Sequence, residues 1–151
     1  MIELLAELLA EDHDVSADVW SATSYQQLRV DALAAERWTR LHPGEERREP
    51  FLARILAPVD GPIVAVSDSM KAVPDQIARW VPQPFVPLGT DGFGRSDTRE
   101  ALRRHFEVDA EHIAVAVLAA LAEMGEVKPE AVADAIAAFG LEPDRTSPYF
   151  A

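Results

Sequence analysis

The glycine-rich segment from Gly89 to Arg95 is the part of the chain that comes nearest to a binding motif. It joins a short apolar run to a helical pattern, and it places Arg95 and Ser96 near a helix start, where the helix dipole favours anions. Its glycine spacing matches neither G-x-G-x-x-G nor G-x-x-x-x-G-K-S/T, and Asp91 and Asp97 would repel a phosphate. We therefore predict a structural turn that fastens helix to sheet and faces another domain, and phosphate binding is the less favoured alternative.

The remaining reactive residue types form no complete site in the sequence. The histidines lie far apart, without a helical i, i+4 pair and without cysteines, whereas a metal site needs three or four converging ligands. Ser67, Ser69 and Ser96 lack the G-x-S-x-G elbow of a nucleophile. We assign no catalytic, cofactor-binding or metal-binding residue to this chain. The histidines are His13, His42, His105 and His112.

Two apolar runs predict the sheet that would position the glycine-rich segment. These runs, Pro62 to Ser67 and Phe85 to Gly89, each end in small or polar residues and are each followed by a helical pattern. That order is typical of a parallel α/β sheet. Because the first run is apolar at consecutive positions, we expect a strand covered on both faces.

Helical periodicity and capping residues predict the other elements. An amphipathic helix should cover residues 1–11, with Ile2, Leu5, Leu8 and Leu9 on one face, and Val15 to Ala22 should form a strand. The further predicted helices run from Ser24 to His42, from Phe51 to Ala57, from Asp68 to about Trp80, from Asp97 (capping with Glu100) to Phe106, from Asp109 to Gly125, and from Pro129 to Gly140.

Three stretches carry a family resemblance: VSADVWSATSYQQLRVDALAAERWTRLHP, GPIVAVSDSMKAVPDQIARWVP and LGTDGFGRSDTREALRRHFEVDA. They resemble the last domain of the homodimeric, thiamine-diphosphate-dependent pyruvate dehydrogenases, a domain of the transketolase C-terminal type. The resemblance covers nearly the whole chain. It implies a three-layer α/β/α fold with a largely parallel sheet. The family's domain begins with a strand that has no counterpart before Ile2, so we expect a fragment of a larger enzyme.

The resemblance also implies a role. The parent enzyme would oxidatively decarboxylate pyruvate and pass the acetyl group to a lipoyl-bearing acyltransferase. Thiamine diphosphate and Mg²⁺ would be held by the preceding domains, so the isolated chain should be inactive. Its expected partners are those domains, the second subunit and the acyltransferase. The residues expected at an interdomain or subunit contact are Asp91, Gly92, Phe93, Gly94, Arg95, Ser96, Asp97 and Arg99.

Length and charge restrict the remaining possibilities. A chain of 151 residues suits one domain, spanning 1–151, and a net charge of −12 disfavours nucleic acid and anionic membranes as partners. There are no cysteines, the N-terminus does not resemble a targeting peptide, and no apolar run approaches the ~20 residues of a membrane span. We expect a soluble, cytoplasmic protein.

Two other functions stay open at this point. The chain could be a free-standing module that binds a protein partner, or its own copy, through an exposed sheet edge or the turn at Gly89. It could also be a small anion-binding domain, which sulfate or nucleotide would then stabilise.

Overall fold

The computed structural model describes residues 8–10 and 13–151. Six α-helices and two strands are defined within them, together with a 3₁₀ turn over Ala78–Trp80. In chain order the elements are α1 (Tyr25–Leu41), α2 (Phe51–Leu56), β1 (Ile63–Val66), α3 (Ala72–Asp75), β2 (Phe85–Leu88), α4 (Arg99–His105), α5 (Ala110–Glu123) and α6 (Pro129–Ala138).

The two strands form a parallel pair, in which Ile63 lies opposite Phe85 and Val66 lies opposite Leu88. The connection between them contains α3 and the 3₁₀ turn, and α5 packs against both strands. This arrangement confirms the predicted α/β class. In the described part of the chain the sheet has two strands, so it is smaller than the central sheet that the family resemblance implies.

Two apolar clusters form the core of the described residues, and the second includes residues of both strands. In the first cluster, Leu118 of α5 and Ala135 of α6 pack with Leu9. Leu9 lies in the helical residues 8–10. In the second, Leu52 and Leu56 of α2 pack with Ile77. Partly buried residues around the second cluster include Tyr25, Leu28, Ile63 and Phe85. The rest of the predicted helix over residues 1–11 falls outside the described residues.

Most local predictions are confirmed because their signals are local. Ser24 caps α1 by accepting a hydrogen bond from the Gln27 amide, and Asp109 caps α5 in the same way from the His112 amide. Pro129 occupies the first position of α6, where its missing N–H costs nothing. The strand predictions agree with β1 and β2 to within one residue at each end.

The predicted strand over Val15 to Ala22 is wrong. Residues 14–22 have no regular secondary structure, and Val19 and Trp20 are exposed. Among the backbone hydrogen bonds of the described residues outside helices and strands, this segment contributes one, from Val15 to Leu9. β-branched and aromatic residues favour a strand, but a strand also needs a neighbour with which to pair.

The predicted helix from Asp68 to Trp80 is also wrong in its extent, because it divides into α3 and the 3₁₀ turn. The Ser69 carbonyl accepts a hydrogen bond from the Thr90 amide across the sheet end. Pro74 has no amide hydrogen with which to bond the preceding turn. Successive i to i+3 bonds, from Val73 to Met70 and from Ile77 to Pro74, take the place of a continuous α-helix.

Two further predictions are corrected in detail. Thr98, and not Asp97, caps α4: its hydroxyl accepts from the Ala101 amide, while Asp97 accepts from the Thr98 amide. Only Ala65 of β1 is buried, so this strand is not fully covered on both faces. Both faces of a strand are buried only where helices cover the sheet above and below.

Candidate functional site

The carboxyl ends of β1 and β2 are joined by close backbone contacts. A β-carbon on Gly89 would lie 2.4 Å from the Ser69 carbonyl oxygen and 2.8 Å from the Lys71 nitrogen. The Thr90 amide donates to the Ser69 carbonyl at 3.0 Å, and the Thr90 hydroxyl donates to the Asp68 carbonyl at 2.9 Å. Only glycine allows the two loops to approach this closely at position 89.

Asp91 adds a side-chain contact to this junction. Its carboxylate accepts a hydrogen bond from the Lys71 amide at 3.1 Å, in a half-buried position. The carboxylate is therefore directed at the loop after β1. This contact joins the glycine-rich segment to the preceding crossover.

Gly92 lies against the C-terminal segment. Its φ of 105° is in the region that favours glycine, and a β-carbon there would lie 2.1 Å from the Pro148 carbonyl oxygen. It would also lie 3.3 Å from the α-carbon of Tyr149. The glycine-rich segment and the end of the chain are thus neighbours in space.

Three exposed aromatic side chains belong to these neighbouring segments, and we call Phe93, Tyr149 and Phe150 the aromatic patch. Phe93 is 84% exposed, Phe150 is 80% exposed and Tyr149 is 64% exposed. The rings of Tyr149 and Phe150 meet edge to face, with centroids 5.0 Å apart. Such large apolar groups exposed together are typical of surfaces that contact another protein segment.

A groove of about 560 Å³ lies beside the aromatic patch. Arg95, Arg99 and Arg103 are among its lining residues, and Leu102 and Phe106 provide apolar surface. The other lining residues are Asp68, Thr90, Gly92, Gly94, Asp97 and Val108. The groove therefore combines cationic and apolar groups at the carboxyl ends of the two strands.

Arg104, in the last turn of α4, links the end of that helix to the start of α5 and the end of α6. It donates to the Asp109 carboxylate at 3.2 Å, and to the carbonyl oxygens of Phe139 and Gly140 at 3.0 and 3.2 Å. These carbonyls follow α6 and have no partner within that helix. Arg104 lines a smaller cavity of about 260 Å³ together with Glu107 and Arg145, among others. Because its guanidinium is used to hold helix ends together, we interpret Arg104 as structural.

Asp109 and His105 have shifted pKa values in this region. Burial by itself would raise the pKa of Asp109, but hydrogen bonds from the His112 ring and amide and from Arg104 lower it below its ordinary value of 3.8. Burial lowers the pKa of His105, and the charges of Arg95 and Arg145 lower it further. His105 lies in the last turn of α4, where Arg103 and Arg104 carry the permanent charge.

Of the eight predicted contact residues, five line the groove and three do not. Gly92, Gly94, Arg95, Asp97 and Arg99 line the groove, while Asp91 is turned towards Lys71 and Phe93 belongs to the aromatic patch. Ser96 is exposed and does not line the groove. Arg103, Tyr149 and Phe150 are not among the residues predicted from the sequence. The four-residue spacing of Arg95, Arg99 and Arg103 could have indicated the arginine cluster, but nothing local indicated the position of the C-terminal aromatic residues.

The histidines are dispersed in the structure as well. His42 stacks on Trp38 with ring centroids 4.3 Å apart, and His112 contacts Asp109. Among the described residues, no three histidine, cysteine, aspartate or glutamate side chains come together in a way that could hold a metal ion. The same part of the chain contains no helix with the length and apolar character needed to cross a bilayer.

A parallel α/β unit with a glycine-rich turn at the carboxyl end of its sheet is a class of domain shared by several enzyme families. Comparison with known families resolves which one. A family model described as the transketolase-like TK C-terminal domain matches residues 2–109, and the chain belongs to this family. The resemblance found in the sequence is thereby confirmed.

Relatives of known name are similar across almost the whole chain. Over 148 residues, or 97% of the chain, it is 46% identical to the pyruvate dehydrogenase E1 component of Pseudomonas aeruginosa. It is 48% identical to the Escherichia coli K12 protein of that name over 147 residues, and 52% identical to the Mycolicibacterium smegmatis one over 86% of the chain. The chain spans 17%, 16% and 14% of the length of these three relatives, in their C-terminal portion.

Proposed function

We propose that this chain is the C-terminal structural and contact domain of a pyruvate dehydrogenase. The parent enzyme decarboxylates pyruvate oxidatively and transfers the acetyl group to the lipoyl group of an acyltransferase. One observation carries this proposal: the 46% identity with a pyruvate dehydrogenase E1 component extends over 97% of the chain. Similarity of that extent includes the surfaces of the domain as well as its core. A cytoplasmic homodimer is the corresponding form of the parent enzyme.

The chemistry of the parent enzyme is assigned to other domains. Thiamine diphosphate needs a divalent cation to hold its phosphates, and such a cation takes carboxylate and carbonyl ligands. The described residues do not fit this requirement, since no three acidic or histidine side chains converge. We therefore propose no catalytic step through residues of this chain. The isolated chain should not decarboxylate pyruvate.

The contact surface is assigned to residues 91–99 with the aromatic patch. Asp91 and Gly92 hold the segment against Lys71 and Pro148, and this fixes the base from which the Phe93 side chain extends into solvent. Burying a phenylalanine contributes roughly 1.5–3 kcal/mol, so Phe93 would be a major contact when covered by a neighbouring domain or subunit.

Reconstitution from two polypeptides tests this assignment. The chain is mixed with a second polypeptide that carries the two preceding domains of the same enzyme, and light scattering measures the mass of the assembly. We expect a complex and restored pyruvate decarboxylation, which neither polypeptide shows alone. Phe93→Ser should weaken assembly at least about tenfold, because about 1.4 kcal/mol of contact energy corresponds to that factor.

The matched control is Val30→Ser, which also removes an exposed apolar side chain, here from α1. It should leave assembly unchanged. A chain that forms a stable oligomer with itself and ignores the other polypeptide would refute the proposal. That result would favour the free-standing interaction module, which the exposed aromatic patch would also suit.

A further inference from the structure

The groove beside the aromatic patch contains three arginines at regular spacing. Arg99 and Arg103 are four residues apart on α4 and therefore lie on the same face of that helix. Arg95 precedes Arg99 by four residues and lines the same groove. Guanidinium groups bind phosphate through paired, parallel hydrogen bonds, and this makes arginine well suited to phosphate recognition.

These arginines have no acidic partner in the described structure. The ion pairs found within residues 8–10 and 13–151 involve Arg79 with Glu36 and Asp109 with Arg104 and His112, and none involves a groove arginine. The chain has 26 acidic residues against 14 basic ones, so three unpaired arginines in one groove are unexpected on composition alone. They are available to an external anion.

Of the two acidic residues that count against an anion in the sequence, one lies outside the groove in the structure and one lines it. The Asp91 carboxylate is bound to the Lys71 amide, and Asp91 does not line the groove. Asp97 does line it, and its negative charge therefore counts against the three arginines, although its carboxylate also accepts a hydrogen bond from the Thr98 amide at 2.7 Å. With Asp68 as the other acidic lining residue, the groove keeps a net positive charge.

Apolar surface lies next to the arginines. Leu102 and Phe106 are partly buried and line the groove, and Val108 is buried. The groove volume of about 560 Å³ falls within the ~300–1,000 Å³ of small-molecule sites. Its position outside the carboxyl ends of parallel strands is the usual one for ligands of α/β sheets. A ligand that fits these features has both anionic groups and an apolar body.

We propose that this groove binds a phosphorylated small molecule of nucleotide size. Its phosphates contact Arg95, Arg99 and Arg103, and its ring system packs on Leu102 and Phe106. The ligand lies at the margin of the proposed contact surface, with which it shares Arg95 and Arg99. Its binding is nevertheless a property of this chain alone, so it can be tested without the rest of the enzyme.

The pKa of His105 can report whether an anion occupies the groove. Besides burial, the positive charges of Arg95 and Arg145 lower the pKa of this histidine. A polyanion bound at Arg95 would offset part of that positive field. The pKa of His105, followed by NMR, should therefore rise when the ligand binds.

Calorimetric titration of the chain with ADP and with pyrophosphate, at constant ionic strength, tests the proposal. Both should bind saturably, and ADP should bind more tightly because its ring covers apolar surface. The double variant Arg99→Gln, Arg103→Gln should lower the affinity for ADP by about tenfold or more, since it removes two charged hydrogen-bond donors. Thermal unfolding of each variant establishes that it is folded.

The matched control is Arg29→Gln with Arg37→Gln, which makes the same change of charge at two exposed positions of α1. It should leave the affinity for ADP unchanged. Absence of saturable binding at millimolar ADP, or equal losses in both double variants, would overturn the proposal. So would binding that leaves the pKa of His105 unaltered, or equal affinities for ADP and pyrophosphate. None of these outcomes bears on assembly with the other domains, which the light-scattering experiment measures.

Discussion

Gly92 and Pro148 lie in backbone contact, although 56 positions separate them in the chain. A β-carbon on Gly92 would approach the Pro148 carbonyl oxygen to 2.1 Å. This contact places the end of the chain, which carries Tyr149 and Phe150, beside the glycine-rich segment, which carries Phe93. The aromatic patch therefore depends on a glycine that carries no chemistry of its own.

Gly92→Ala should destabilise the chain by about 1–3 kcal/mol, because it adds both the strain of a positive φ and a backbone clash. Urea unfolding measures the change. Gly94→Ala is the control, since no heavy atom lies within 4 Å of the β-carbon position and φ there is outside the glycine region. That variant should change the free energy of unfolding by less than about 0.5 kcal/mol. Equal effects at the two positions would contradict the close contact.

Arg104→Met should lower the free energy of unfolding by about 1–2 kcal/mol, because it removes hydrogen bonds to Asp109, Phe139 and Gly140. The side chain is 38% exposed, so water replaces part of what is lost. Arg103→Met is the matched control on the same helix, and it should cost less than about 0.5 kcal/mol. Chemical denaturation compares the two variants, and a larger loss at Arg103 would refute the assignment.

Stability at acid pH should depend on Asp109. The pKa of this residue is lowered in the folded state, so the unfolded chain binds more protons as the pH falls below the ordinary value of 3.8. Its contribution is complete above that value and is lost as the pH falls through the folded-state pKa. In Asp109→Asn the decline of the unfolding free energy between about pH 4 and pH 2 should be shallower. Identical slopes in the two proteins would show that the contribution is absent.

Arg145→Gln should raise the pKa of His105, because the Arg145 guanidinium lies 2.8 Å from the Nδ1 atom and its charge lowers that pKa. Burial and Arg95 continue to lower the pKa of His105 in this variant, and Glu107 continues to raise it. NMR titration of the histidine side chains measures the shift. Because the pKa of His105 is lower in the folded chain than in the unfolded chain, the free energy of unfolding declines as the pH falls below about 6.5. In Arg145→Gln this decline should be smaller. An unchanged pKa would contradict the contact.

Local sequence signals determined most of the helices. Asp109 at the start of α5 and Pro129 at the start of α6 act on backbone groups within three or four residues, so their positions can be read without the fold. The strand at Ile63–Val66 was predictable for a similar reason, as its apolar run is bounded by turn residues. The family resemblance added the class of domain, which the structure and the family comparison confirm.

Tertiary structure decided the features that depend on contacts between segments distant in the sequence, such as strand pairing and hydrogen bonds between loops and helix ends. Val15 to Ala22 has the composition of a strand, yet no described strand pairs with it. The Ser69 carbonyl bonds to Thr90 instead of extending a helix, and Arg104 spans three helix ends that no spacing could indicate. The groove arginines were visible in the sequence, but the sequence did not show that they form no ion pair within the described part of the chain. Capping and periodicity act over one turn of chain, whereas pairing, close approach and unpaired charge depend on which surfaces the folded chain brings together.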